Sequence, residues 1–203
     1  MNNLEVELRG PLDEAGHLTL LDHLKKNGKH IISQKRLFFD LSREIGINNR
    51  SLDVRAKVTN GQVQIVVKKA AAAGSVSREE TEINIEKGGL AQTLHTLALL
   101  GYPEGVYGER EIERYALGEV EFAIQKAMRV EGSGLHSIFY EAEIMANPED
   151  KDQAEERLRQ LLAELGLTVF DKNGWDAYEA ILNKEANGWF NFTTTDISRF
   201  IKE

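Results

Sequence analysis

The stretch Leu4-Glu5-Val6-Glu7-Leu8-Arg9 alternates apolar residues with charged ones. A period of two residues is typical of a β-strand, whose side chains point in turn to the two faces of a sheet. The charged positions hold two carboxylates followed by a guanidinium. The sequence therefore predicts a strand with one apolar face and one face that carries both signs of charge.

Five further segments continue this alternation of apolar with charged or polar residues. They span residues 52–58, 62–69, 80–85, 119–125 and 138–144. Leucines at helical spacing mark three other segments, near residues 18–27, 90–100 and 148–165. A run of small residues at 70–75 is predicted to be a flexible connection between two strands. Short strands interrupted and followed by helices predict the α+β class.

Acidic pairs distinguish the charged faces of these strands from an ordinary solvated sheet face. Glu-x-Glu occurs at residues 5 and 7, 80 and 82, and 141 and 143. Carboxylates two residues apart on a strand project to the same side and repel each other, which a divalent cation between them relieves. Long basic side chains share these faces, at Arg9, Arg55, Lys57 and Lys68. Periodicity alone leaves two interpretations open, a polar face in water and a charged interior around a polyphosphate.

Composition restricts the class of protein. The chain of 203 residues has a net charge of −8, whereas a general nucleic-acid binder carries an excess of lysine and arginine. It has no cysteine, which excludes disulfides, zinc–thiolate sites and a cysteine nucleophile. It also shows no leader pattern and no apolar stretch long enough to span a bilayer. We therefore expect a cytoplasmic protein with neither a nucleic-acid nor a membrane partner.

The order of these segments resembles the CYTH family of triphosphate tunnel proteins, over residues 4–183. That family includes class IV adenylate cyclases, thiamine triphosphatases and inorganic tripolyphosphatases. Glu5-Val6-Glu7-Leu8-Arg9 resembles the family's Glu-x-Glu-x-Lys strand, with arginine in the last place. Arg55-Ala56-Lys57 resembles its Arg-x-Arg strand, and Tyr140-Glu141-Ala142-Glu143 resembles its last acidic strand.

The resemblance implies an antiparallel, closed β-barrel with flanking helices, in which a triphosphate tunnel domain spans residues 1–185. It also implies Mg²⁺ or Mn²⁺ as cofactor and a small-molecule triphosphate as substrate. The implied metal ligands are Glu5, Glu7, Glu80, Glu82, Glu141 and Glu143. Three of these metal ligands are also the implied catalytic residues: Glu5, Glu7 and Glu143. The implied phosphate ligands are Arg9, Arg55, Lys57, Lys68, Arg110 and Arg114.

Two positions depart from the family pattern. Ile112 follows Arg110 where the family carries the second cation of a Lys-x-Arg pair, unless Arg114 replaces it. Gln125 stands where the family carries an aspartate. Three functions therefore remain open: metal-dependent hydrolysis of inorganic tripolyphosphate, thiamine triphosphate or a nucleoside triphosphate; conversion of ATP to cyclic AMP and pyrophosphate; and binding of a nucleotide or polyphosphate without catalysis.

The C-terminal extension at residues 186–203 lies largely outside the resemblance. Its aromatic residues Trp189, Phe190, Phe192 and Phe200 make it unusually apolar for a chain end. Such a segment is predicted to pack on its own domain, with a second subunit of a homodimer as the alternative.

Overall fold

The computed structural model describes residues 4–42, 52–70, 77–132, 134–171 and 173–201. The strands are β1 (Leu4–Leu12), β2 (Lys29–Asp40), β3 (Leu52–Thr59), β4 (Gln62–Ala70), β5 (Ser77–Ile85), β6 (Glu104–Leu117), β7 (Val120–Met128), β8 (Leu135–Ala146) and β9 (Gly188–Asn191). The helices are α1 (Glu14–Asn27), α2 (Leu90–Leu99), α3 (Lys151–Glu164) and α4 (Gly174–Glu185), with a 3₁₀ turn at Ile197–Phe200. Beyond residue 70, the predicted flexible connection lies outside the described residues.

The described strands form one antiparallel sheet in the order β2-β3-β4-β5-β1-β8-β7-β6-β9. β2 pairs with β6 as well as with β3. Because a strand has two edges, β7 and β9 share the other edge of β6, at residues 109–117 and 104–107. The predicted α+β class and antiparallel sheet are confirmed. Closure into a complete barrel remains a prediction, which the β2–β6 ladder supports.

Helices cover the apolar faces of the strands. Leu20 and Leu24 of α1 and Leu158 and Leu162 of α3 are buried in one cluster with side chains of β1, β7 and β8. A second cluster lies beneath α2 and contains residues of β2, β3 and the C-terminal extension. Since the apolar residues of these two clusters pack against the helices, the charged residues that alternate with them are directed the other way.

The helices that the structure describes are short. The longest of them, α1 and α3, have 14 residues each. No helix in these ranges is long and apolar enough to cross a membrane.

The C-terminal extension contacts the sheet through β9 and the 3₁₀ turn. β9 pairs with residues 104–107 of β6. The rings of Phe190 and Phe200 each pack edge-on against Phe39, with centroids 5.0 Å apart. Contact with a second subunit remains a prediction.

Candidate active site

The charged sides of the strands line a cavity of about 580 Å³. All twelve site residues predicted from the sequence are among its lining residues. The pairing of β1 with β8 shows how neighbouring strands bring them together, because Glu7 lies opposite Glu143 and Arg9 lies opposite Glu141. Helix α4 contributes Trp175, among others, to the same cavity.

Three of the predicted metal ligands converge. Oxygen atoms of Glu5, Glu7 and Glu143 lie within 4.8 Å of one another. Burial, followed by the charge of Glu7, raises the pKa of Glu5 to about 10, and Glu5 shares a hydrogen bond with Glu80. Burial also raises the pKa of Glu143. We call Glu5, Glu7 and Glu143 the acidic trio, in which the protein environment opposes ionisation of Glu5 and Glu143.

The other predicted metal ligands lie beside basic groups instead. Glu141 accepts a hydrogen bond of 2.8 Å from Arg9 and another from Gln125. Glu80 lies 2.8 Å from the Lys68 ammonium nitrogen, and the hydrogen bond from Glu5 helps to lower the pKa of Glu80 to about 2 despite its burial. Glu82 lies 3.6 Å from the Lys57 nitrogen. Glu82 and Glu141 therefore lie outside the acidic trio, whereas Glu80 adjoins it through its hydrogen bond with Glu5.

Four of the six predicted phosphate ligands are held closely by carboxylates. Arg55 donates to both oxygens of Asp53, over 2.7 and 2.5 Å. Lys68 lies 3.0 Å from Glu5, and its neighbouring carboxylates raise its pKa although burial opposes this. Arg9 pairs with Glu7 and Glu141, and Arg114 with Glu121 and Glu143.

Arg110 and Lys57 differ from those four cations. Among the described residues, Arg110 has no carboxylate ion pair and donates to the Asn187 side-chain oxygen at 3.2 Å and to the Glu109 carbonyl at 2.9 Å. Its side chain is buried, and burial lowers its pKa to about 10. Burial lowers the pKa of Lys57 to about 8, helped by the charges of nearby cations. A phosphate group would compensate both residues.

Solved structures share this arrangement of strands and helices. A protein from Pyrococcus horikoshii is 22% identical over 89% of this chain and 99% of its own, with a TM-score of 0.63. A candidate adenylate cyclase from Vibrio parahaemolyticus is 18% identical, with coverages of 83% and 91% and a TM-score of 0.60. A candidate adenylyl cyclase from Hippeastrum with a dominant triphosphatase activity is 18% identical, with coverages of 82% and 89% and a TM-score of 0.50.

The chain shares the fold of these solved structures, which fits the CYTH-type tunnel proteins that its sequence resembles. The likeness lies in three-dimensional structure, since the sequence matches no protein-family model and no curated protein.

Within this CYTH-type fold, the sequence prediction missed several residues that line the cavity. They are chiefly Arg36 and Asp40 of β2 and Trp175, Glu179 and Asn183 of α4. Trp175 lies under Arg9, whose guanidinium carbon is 4.5 Å from the ring centroid. Gln34, Arg36, Phe38 and Asp40 stand at every second position of β2, so a two-residue period could have indicated that they share one face of the strand. No period in the sequence indicates which face of α4 meets the cavity.

The two departures from the CYTH pattern have different consequences. Ile112 is buried between Arg110 and Arg114 along β6, and both of these arginines line the cavity. Arg114 thus supplies the second cation of this strand. Gln125 is buried in the cavity wall and donates its amide to Glu141, so the wall has a neutral group at this position.

Proposed function

We propose that this protein is a metal-dependent hydrolase of a triphosphate, which it binds inside a closed, charged tunnel. The substrate would be inorganic tripolyphosphate, thiamine triphosphate or a nucleoside triphosphate. One observation carries the proposal: the acidic trio and the weakly neutralised cations Lys57 and Arg110 line the same cavity. Such a cavity suits a divalent cation together with a polyanion.

The acidic trio has the donors that Mg²⁺ and Mn²⁺ prefer. Oxygen ligands of Mg²⁺ lie about 2.1 Å from the ion, so opposite ligands are about 4.2 Å apart. The oxygens of Glu5, Glu7 and Glu143 span up to 4.8 Å, which small side-chain rotations would reduce. A bound cation would also favour the ionised form of Glu5, whose pKa is otherwise raised to about 10. These residues therefore fit a metal, and they would hold it.

The cations of the tunnel would bind and orient the substrate's phosphate oxygens. Arg110 is already fixed by Asn187, and the Phe38 ring centroid lies 4.8 Å from its guanidinium carbon. A preorganised guanidinium makes short, charge-assisted hydrogen bonds with phosphate. Because neither Arg110 nor Lys57 needs to break a strong ion pair, these two residues would contribute most to affinity.

Hydrolysis would transfer a phosphoryl group from the substrate to water. The bond between the transferred phosphorus and the bridging oxygen breaks, and negative charge grows on the departing oxygen. Arg9, Lys57 and Arg110 would stabilise this charge from fixed positions, which requires little reorganisation during the reaction. A bound metal ion would supply Lewis-acid activation of phosphate oxygens. No protein nucleophile is required.

A second candidate function is binding without catalysis. It is favoured by Gln125, which places a neutral amide beside Glu141 where the family pattern has a carboxylate. If the missing carboxylate orients the attacking water, the tunnel would hold its ligand unchanged.

The test is ³¹P NMR of the protein with Mg²⁺ or Mn²⁺ and, in turn, tripolyphosphate, thiamine triphosphate and ATP. A hydrolase releases orthophosphate and a shortened chain. A cyclase instead gives pyrophosphate and a cyclic phosphodiester from ATP. Substrates that bind but stay intact would support the second candidate function, and Gln125→Asp should then restore turnover. Absence of both binding and turnover would refute the tunnel proposal.

A further inference from the structure

Arg36 is a cation of the cavity that the family resemblance did not indicate. It is on β2 and lines the same cavity as the acidic trio. Its guanidinium donates to Thr59 Oγ1 at 3.1 Å and to Gln34 Oε1 at 3.2 Å, which are both neutral acceptors. Within the described ranges it forms no ion pair with a carboxylate. Among the described residues, the positive charge of Arg36 therefore has no ion-pair partner, although the cavity largely encloses it.

The position of Arg36 opposite another arginine makes its charge more destabilising to the folded protein. Arg36 and Arg110 are direct partners in the register of β2 and β6, and both side chains point into the cavity. Like charges at directly opposite positions of antiparallel strands destabilise the pair. Burial, followed by the charge of Arg114, lowers the pKa of Arg36, against the opposing charges of Glu141 and Glu82.

The two arginines also lie on a different wall from the acidic trio. Glu5 and Glu7 belong to β1 and Glu143 to β8, whereas Arg36 and Arg110 belong to β2 and β6. β8 pairs with β7, β7 with β6, and β6 with β2, so β7 and β6 lie between β8 and β2. The acidic trio and the pair of Arg36 and Arg110 thus belong to different strands of the cavity wall.

We propose that Arg36 and Arg110 form a phosphate subsite on the β2–β6 wall, and that Arg36 is a substrate-binding residue of this protein. The inference rests on the proposed function, since it assigns a second contact for the same polyanion. One phosphate group of the chain accepts hydrogen bonds from both guanidinium groups, while another phosphate faces the acidic trio.

A binding role and a structural role of Arg36 predict opposite effects on the protein without ligand. If Arg36 served the fold, its replacement would destabilise the protein. If it serves the ligand, removal of its charge leaves the ligand-free protein as stable as before or more stable. Affinity and stability would then change in opposite directions.

The experiment is calorimetric titration of the full chain with tripolyphosphate in EDTA, together with thermal unfolding of each variant without ligand. Arg36→Gln should weaken binding by about 10- to 100-fold, the usual effect of losing hydrogen bonds to a charged group. Its melting temperature without ligand should equal or exceed that of the wild type. Arg36→Lys, which keeps the charge but not the planar fork, should bind with intermediate affinity.

Arg157→Gln is the matched control, because Arg157 is half-exposed on α3 and pairs with Glu119 outside the cavity. It should bind tripolyphosphate like the wild type. Arg36→Gln binding within twofold of the wild type would overturn the subsite, as would a clear loss of ligand-free stability. If the wild type does not bind tripolyphosphate in EDTA, the subsite is refuted as a metal-independent contact; if it also fails to bind tripolyphosphate, thiamine triphosphate and ATP with Mg²⁺, the proposed function itself has failed.

Discussion

Lys57 connects the charge of the tunnel to pH. Burial, with the charges of Arg36 and Arg55, lowers its pKa from 10.5 to about 8. Above pH 8 the folded protein therefore has a neutral Lys57, whereas the unfolded chain keeps the charge up to pH 10.5. In this window the contribution of Lys57 to ligand-free stability rises with pH, because the unfolded state binds the additional proton. Anion affinity changes the other way, since the tunnel loses a positive charge.

We expect the affinity for tripolyphosphate in EDTA to fall between pH 7 and pH 9, by up to about tenfold through Lys57 alone. Calorimetric titration of the wild type and of Lys57→Arg at both pH values measures this contribution. Arginine stays charged, so the variant should lose less affinity than the wild type. The ligand's own titration is common to both proteins. A parallel fall in both would show that Lys57 does not contact the ligand.

Glu5 gives a second prediction at this scale. Because the pKa of Glu5 is raised to about 10 in the folded protein, its contribution to stability is lost progressively as the pH rises above 4.5. In EDTA at pH 8, Glu5→Gln should therefore raise the melting temperature, by at least about 2 °C for about 1 kcal/mol. The same variant should abolish the additional stabilisation that Mn²⁺ gives the wild type.

Differential scanning fluorimetry with and without Mn²⁺ tests both effects of Glu5→Gln. Glu111→Gln is the control, because Glu111 is on β6 outside the cavity, 3.7 Å from Lys35. It should leave the Mn²⁺ response unchanged. A Glu5→Gln protein that responds to Mn²⁺ like the wild type would remove Glu5 from the metal site.

At the scale of elements, strands with one apolar face could be predicted and strands without one could not. The alternation in β1, β3, β4, β5, β7 and β8 follows from an apolar side under helices and a charged side in the cavity. β6 has glutamates at residues 109, 111 and 113 on its outer side and arginines at 110 and 114 on its inner side. Since both faces are charged, no apolar period indicates the strand. β9 is too short, at four residues, for a period to show.

Gly10 has a place in β1 that no side chain can share. A Cβ atom at Gly10 would lie 1.8 Å from the Thr168 carbonyl oxygen and 2.6 Å from the Tyr140 ring. The backbone beyond Thr168 is attached to the same strand, because the Phe170 amide donates to the Arg9 carbonyl over 2.8 Å. The close approach of these two chain segments positions the strand that carries Glu5, Glu7 and Arg9.

Gly10→Ala should therefore lower the free energy of unfolding by about 3 kcal/mol, at the upper end of the cost of overpacking, because a backbone atom must move. Urea denaturation measures the loss. Gly118→Ala is the comparison: nothing lies within 4 Å of its Cβ position, and its φ of +62° leaves only a left-handed backbone cost of about 1 kcal/mol. Equal losses of unfolding free energy in the two variants would show that the backbone at Thr168 moves away from the new methyl group at little cost.

At the scale of the whole molecule, the fold places charge inside the sheet and apolar side chains between the sheet and its helices. Sequence periodicity predicted the shared face for ten of the twelve predicted site residues, the family resemblance added Arg110 and Arg114, and all twelve line the cavity. It could not indicate that the charged face is the inner one; the family resemblance supplied that. Ion pairing was also beyond the sequence, because pairs such as Arg9 with Glu141 and Arg114 with Glu143 depend on side-chain positions across strands.

A charged interior makes the molecule's stability depend on its ligands. Buried like charges lie close together in the acidic trio and at Arg36 and Arg110, and a bound cation and a bound polyanion would compensate them further. A ligand that binds only the folded state stabilises it by about 2.7 kcal/mol at a concentration of 100 Kd. For a chain of this size that corresponds to a rise of about 5–10 °C in melting temperature.

We expect Mg²⁺ and tripolyphosphate together to raise the melting temperature by this amount, and more than the sum of their separate effects. Each ion compensates the charge that opposes binding of the other, so their coupling is reciprocal. Scanning fluorimetry over a matrix of both concentrations measures the coupling. Sodium sulfate at equal ionic strength controls for general stabilisation by excluded salts. Additive effects, or a response that sulfate reproduces, would mean that the two ions do not share one cavity. Loss of the coupling in Glu5→Gln would instead assign the coupling to the acidic trio.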